Sequence, residues 1–213
     1  MKKLFSTLGM MALVSLCLFS SCKDEDYPAT ETQTVATANA AQVAAAASAA
    51  ANTAVANALA AAQAAAPTGA TVTQTGANEV TTTNADGTKV VTTTSTSYTY
   101  EVNGDSYDDI EAAMAALSKL PAGSTARVVA VLHQTTTTQK YNADGTKNGN
   151  AETKEEEPIK GKESTVTIPQ DGESPKTVAL EVPTSVSDAT QTKTVDVTVK
   201  TTEKGQHSGG GIN

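Results

Sequence analysis

The chain has 213 residues, a formal charge of −8 and only 3% aromatic residues, among them two Phe, five Tyr and no Trp. That acidity argues against nucleic acid as a partner, because phosphate backbones are held by basic patches. Both Phe lie in the first 19 positions, so the rest builds a thin core from Val, Ile, Leu, Ala and Thr methyls, one modest domain at most. Enzyme pockets are usually lined by apolar and aromatic side chains, so the same scarcity argues against an enzyme.

Met1-Lys2-Lys3 opens the chain, and residues 4–19 form an apolar run under the ~18 residues a comfortable membrane span needs. The run ends in Leu18-Phe19-Ser20-Ser21-Cys22, small residues before a cysteine. This resembles the lipoprotein box of bacterial lipoproteins, with Phe19 where that family usually has Leu. The resemblance implies that residues 1–21 are a signal peptide, cut between Ser21 and Cys22. It also implies that Cys22 carries acyl chains, palmitate among them, which hold the protein to a membrane. At ~0.8 kcal/mol per methylene one chain binds only reversibly, whereas two or three anchor effectively for good. Cys17, the only other cysteine, leaves with the signal, so the mature chain has no disulfide and no thiolate metal site. Loss of Lys2 and Lys3 takes the charge to −10.

Lys23-Asp24-Glu25-Asp26 follows directly. A charged run at this position resembles the surface-export signal of Bacteroidota outer-membrane lipoproteins, which implies display on the cell surface. A solvated acidic tether is the plainer use of such a run. Residues 22–35 read as the lipidated cysteine, this tag and a Thr-rich linker.

Residues 36–66 contain twenty alanines and no charge. Alanine has the highest helix propensity, so a helix of about 45 Å is expected, stopped by Pro67 and Gly69. Its larger apolar residues are only Val43, Val55 and Leu59, with no heptad seam. A stalk, or weak self-association through the alanine surface, is the expectation. Scattered Asn and Gln disfavour a membrane span.

Residues 71–202 are expected to form an α+β domain, a small antiparallel Thr/Val-rich sheet with one packed helix. Val80 to Thr83 and Thr88 to Val102 read as a hairpin around Asn84-Ala85-Asp86-Gly87. In its second arm Val90, Thr92, Thr94, Thr96, Tyr98, Tyr100 and Val102 share one face. A helix follows, with Ser106 as N-cap and Asp109 three residues on. Tyr107, Ile110, Met114 and Leu117 give its apolar stripe, and Pro121 and Gly123 end it. Residues 126–132, apolar on both faces, suggest a central strand under that helix. Residues 142–147 then repeat residues 84–89, Asn-Ala-Asp-Gly-Thr-Lys in both places. A duplicated hairpin and one good turn used twice explain this equally well. Residues 148–161, with Glu155-Glu156-Glu157, read as a long charged loop. Residues 164–168, 177–182 and 194–200 alternate as strands, and residues 203–213 form a flexible tail.

No catalytic, cofactor-binding or metal-binding set emerges. His133 and His207 are the only histidines, and zinc needs more ligands than they offer. Helix capping accounts for Asp105, Asp108 and Asp109, a salt bridge beside the sheet for Arg127, and cross-strand packing for Tyr98 and Tyr100, which could otherwise stack a carbohydrate. The function that fits is non-enzymatic: a lipid-anchored surface lipoprotein with a structural or binding-accessory role. Its partners would be the membrane through Cys22, an envelope or extracellular protein or glycan, and its own copies through the alanine helix. A periplasm-facing subunit of an envelope complex is the alternative, and an enzyme of unknown type the third choice.

Overall fold

The protein is α+β with the sheets dominant, and its computed structural model describes residues 32–203 as eleven strands and two helices. The signal peptide, Cys22, the run Lys23, Asp24, Glu25 and Asp26, and the tail with His207 lie outside the described residues. In chain order the elements are β1 (Thr32–Ala38), α1 (Ala40–Ala65), β2 (Thr71–Gly76), β3 (Glu79–Thr83), β4 (Lys89–Val102), β5 (Asp105–Tyr107), α2 (Ile110–Leu117), β6 (Thr125–Tyr141), β7 (Lys147–Glu155), β8 (Ile159–Lys160), β9 (Ser164–Thr167), β10 (Lys176–Pro183) and β11 (Thr192–Glu203). They form an eight-stranded antiparallel sheet and a second sheet ordered β1-β11-β10, so the expected small sheet is too modest a description.

The spine of the large sheet is a ribbon of β4 and β6, paired without a break from Lys89 opposite Tyr141 to Val102 opposite Val128. At one end β3 and β7 flank it, and at the other β5, β8 and β9 do. The even-numbered residues of both strands face inward. Tyr100, Val102, Val128 and Ala130 are buried with Ile110, Ala113, Met114 and Leu117 of α2. Leu180, Val182, Val195, Val197 and Val199 complete this core from the second sheet, as their alternation predicts.

The alanine-rich segment is not a free stalk. Asn39 caps α1, its Oδ1 accepting from the Ala41 and Gln42 amides at 3.1 and 3.3 Å. Gln42 then donates to Asp196 Oδ2 at 2.9 Å and accepts from the Asp196 amide at 2.6 Å, which fastens the first turn to β11. Ala46, Ala50, Ala54 and Val55 are buried along one face. Small side chains give this face close backbone approach rather than bulky knobs, which is why no apolar stripe announces it. Residues 32–35 are not linker and residues 36–38 are not helix: β1 pairs with β11 from Thr32 opposite Glu203 to Ala38 opposite Val197. The described fold therefore takes in residues 32–70 together with the expected domain at residues 71–202, and its first and last described strands pair.

Two local expectations also change. Ser106 does not cap α2; it lies in β5 opposite Glu101. Asp109 is the cap, its Oδ1 accepting from the Ala112 amide at 2.7 Å. Residues 148–161 are not a loop, since β7 and β8 occupy most of them. Every residue of β7 is exposed, and it is held as an edge strand by main-chain bonds to β6 despite having no large apolar side chain.

Candidate functional site

Two surfaces stand out, one polar and one apolar. The polar one is the outward face of the large sheet, made by the odd-numbered residues of β4 and β6 and their neighbours. Thr93 lies opposite Thr137, which lies opposite Thr153, and the Thr137 and Thr153 hydroxyls are 3.2 Å apart. Ser95 and Thr135, then Ser97 and His133, continue the rows. These side chains are partly or fully exposed, and they present a continuous field of hydroxyls.

His133 sits in this face with Nε2 2.9 Å from Thr99 Oγ1. Further along, Lys160 bridges to Glu101 at 2.6 Å and Arg127 to Glu163 at 3.7 Å, both at the surface. Glu101, Arg127 and Glu163 border a shallow depression of about 190 Å³. Exposed ion pairs of this kind contribute ~0–1 kcal/mol. Among the described residues no three His, Cys, Asp or Glu side chains gather closely enough to hold a metal ion.

At one end of this face the repeated hexapeptide builds two turns with the same bonds. Gly87 and Gly145 donate to the Asn84 and Asn142 carbonyls at 2.9 Å in each case. Asp86 accepts from Thr88 N and Oγ1 at 2.9 and 2.7 Å, and Asp144 from Thr146 N and Oγ1 at 2.9 and 2.6 Å. The hydroxyl bond first, then the amide bond, holds each carboxyl below the usual aspartate range although both are fully exposed. Thr83, Lys89, Tyr141 and Lys147 line up in one row, so the second hairpin is the first displaced sideways by two strands without stagger.

On the inward face Tyr98 donates to the Pro183 carbonyl at 2.5 Å, and its ring centroid lies 6.2 Å from that of Tyr100. Burial raises the Tyr98 hydroxyl well above the usual tyrosine range. Burial first, then the carboxylates Glu111 and Asp109, pushes Tyr100 up to about 12. The pair is therefore core, and neither ring is offered for stacking on a sugar.

The apolar surface is a groove of about 550 Å³ between the first half of α1, the end of β1 and α2. Ala40, Ala44 and Ala47 form one wall, and Ile110, Met114 and Ala115 the other. Its volume lies within the ~300–1,000 Å³ range of small-molecule sites. Sequence reasoning missed it because three separate segments build it, and two of them, residues 36–38 and the first half of α1, were read as one helical stalk. Cys22 and the acidic run, the site residues the sequence does propose, lie outside the described residues, and the groove brings together none of the others. Comparison with known proteins gives no match: no family model fits the chain, and no curated protein and no solved structure matches it.

Proposed function

We propose that this chain is a lipoprotein of the outer membrane, held through acyl chains on Cys22 and displayed at the cell surface, with a structural or binding-accessory role and no catalysis. The observation that carries the reading is where the first described strand lies. Thr32 starts the first strand ten residues after Cys22, so the domain hangs within about 33–36 Å of its anchor. Thr32 pairs with Glu203, so both ends of the domain leave from this one point. The hydroxyl face of the large sheet is then the surface available to a partner. Polar and without Trp or Phe, it suits hydrogen-bonding recognition of a protein or glycan better than an aromatic-stacked one.

Proteinase added to intact cells tests this reading. The wild-type protein should be digested, and alanine at Asp24, Glu25 and Asp26 should leave it membrane-bound but protected. Cys22→Ala, exported on an ordinary secretory signal in place of residues 1–21, should release it from membranes. A wild-type protein that resists proteinase until the cells are broken would place it in the periplasm and sink the surface reading.

A further inference from the structure

We infer that the groove between α1 and α2 seats an acyl chain carried on Cys22 whenever the protein is out of the bilayer. The inference rests on the lipoprotein reading above. The walls run alongside each other, with Ala40, Ala44 and Ala47 at successive turns of α1 facing Ile110, Met114 and Ala115 of α2. A trough of methyl groups edged by one adaptable Met suits a linear alkyl chain, which needs contact along its length and no hydrogen bonds. Glu111 is the one charged residue on its border.

The tether reaches. From Thr32 the strand runs six residues to Ala38 at the groove, about 20 Å at ~3.4 Å per residue. The ten residues from Cys22 to Thr32 span up to about 33–36 Å. The sulfur of Cys22 therefore comes within range of the β1 side of the groove by doubling back along β1, and the acyl chain extends the reach from there. A second copy is a poorer occupant. Protein partners fill such grooves with large aromatic or apolar anchors, and residues 32–203 contain no Phe or Trp. Two mature chains at −10 each would also repel one another.

The test uses the acylated mature protein, freed of detergent, and its unlipidated Cys22→Ala form made without residues 1–21, with cis-parinaric acid, a fluorescent fatty acid, as probe. The unlipidated protein should bind the probe saturably at one site. Ala44→Glu combined with Ala115→Glu should weaken that binding by about tenfold or more. Both alanines are exposed, so an unchanged thermal melt certifies the fold of this variant. The acylated protein should show no free site. Probe binding as strong in the acylated protein as in Cys22→Ala, or as strong in the double variant as in its parent, overturns the inference. So does an unlipidated protein that binds no probe. A dimer of the Cys22→Ala protein that Ala44→Glu dissociates would give the groove to a second copy and overturn it too. Mass spectrometry of the amino-terminal peptide separates the two levels. Absence of acyl mass on Cys22 removes the lipoprotein reading and the inference together, whereas an acylated protein with an open groove removes the inference alone.

Discussion

The two halves of the β4–β6 ribbon share one hydrogen-bonded backbone and differ in everything their side chains do. The boundary is sharp and in register: Tyr98 faces Leu132 on one side of it, and Ser97 faces His133 on the other. Towards Val102 and Val128 the inward residues are buried under α2 and the second sheet. Towards Lys89 and Tyr141 the strands read Thr after Thr: α1 covers the inward side there, burying Val80 and Thr94, while cross-strand pairs such as Thr93 with Thr137 line the outward side. Such pairs contribute ~0.2–1 kcal/mol each, against ~1.5–3 kcal/mol for a fully buried Val or Leu. One half buries the larger apolar side chains, and the other, covered by α1 on its inward side only, gives its outward hydroxyls to solvent.

The largest expected effects therefore lie in the half with the larger buried side chains. Leu117 has no exposed area and Leu132 is 1% exposed. Changing either to Ala should cost ~2–5 kcal/mol in urea unfolding, through lost burial and the cavity left behind. Thr137→Ala on the open face should stay within about 0.5 kcal/mol. The same contrast tests the packing of α1: Ala46 is 1% exposed, so Ala46→Leu should cost ~1–3 kcal/mol by overpacking. Comparable losses at Leu117 and Thr137, or an indifferent Ala46→Leu, would break the division between the halves.

A middle-sized effect separates the twin turns. Gly87 and Gly145 adopt φ of 84° and 83°, a left-handed conformation that costs other residues ~1–2 kcal/mol. Alanine at either should therefore destabilise by about that much. A Cβ on Gly87 would also sit 3.3 Å from the Ala143 Cβ, whereas one on Gly145 meets nothing within 4 Å. Gly87→Ala should be the costlier, because its turn is wedged against the second turn while the other lies towards the β7 edge. Equal costs would show that the stacked turns yield freely.

What was legible in the sequence follows the same line of physics. The hairpin around Asn84 and Gly87, the stripe Ile110, Met114 and Leu117, and the valine alternation of β10 and β11 are local patterns, and the fold keeps them. The misses are elements whose reason lies elsewhere in the chain. β1 is a strand because β11 pairs with it, with Thr32 meeting Glu203 at nearly the full length of the domain. β7, with no large apolar residue, is a strand because β6 offers it an edge. Ser106 had the chemistry of a cap, but pairing with Glu101 took it into β5, and Asp109 capped instead. The alanine helix hides its buried face because alanine writes the same letter inside and out. The groove depends on both α1 and β1, so it was lost along with them.

The smallest effect sharpens the comparison between the twin turns. Asp86 and Asp144 each accept from a threonine hydroxyl and amide that favour the ionised carboxylate, so their folded values lie below the unfolded one. The unfolded chain then binds protons first as acid is added. Each turn's contribution is present above the ordinary aspartate range and is lost as pH falls through the depressed folded value. Carbon-detected NMR titration of the two carboxyls should find both depressed in parallel, since the bonds match. Thr88→Val and Thr146→Val remove the hydroxyl, the leading cause in each turn, and should move each aspartate back towards its usual value while leaving the other in place. A shift confined to one turn would mean that the hexapeptide repeats in sequence and in backbone but not in electrostatics. The flanking strands, rather than the six shared residues, would then set the chemistry at that end of the sheet.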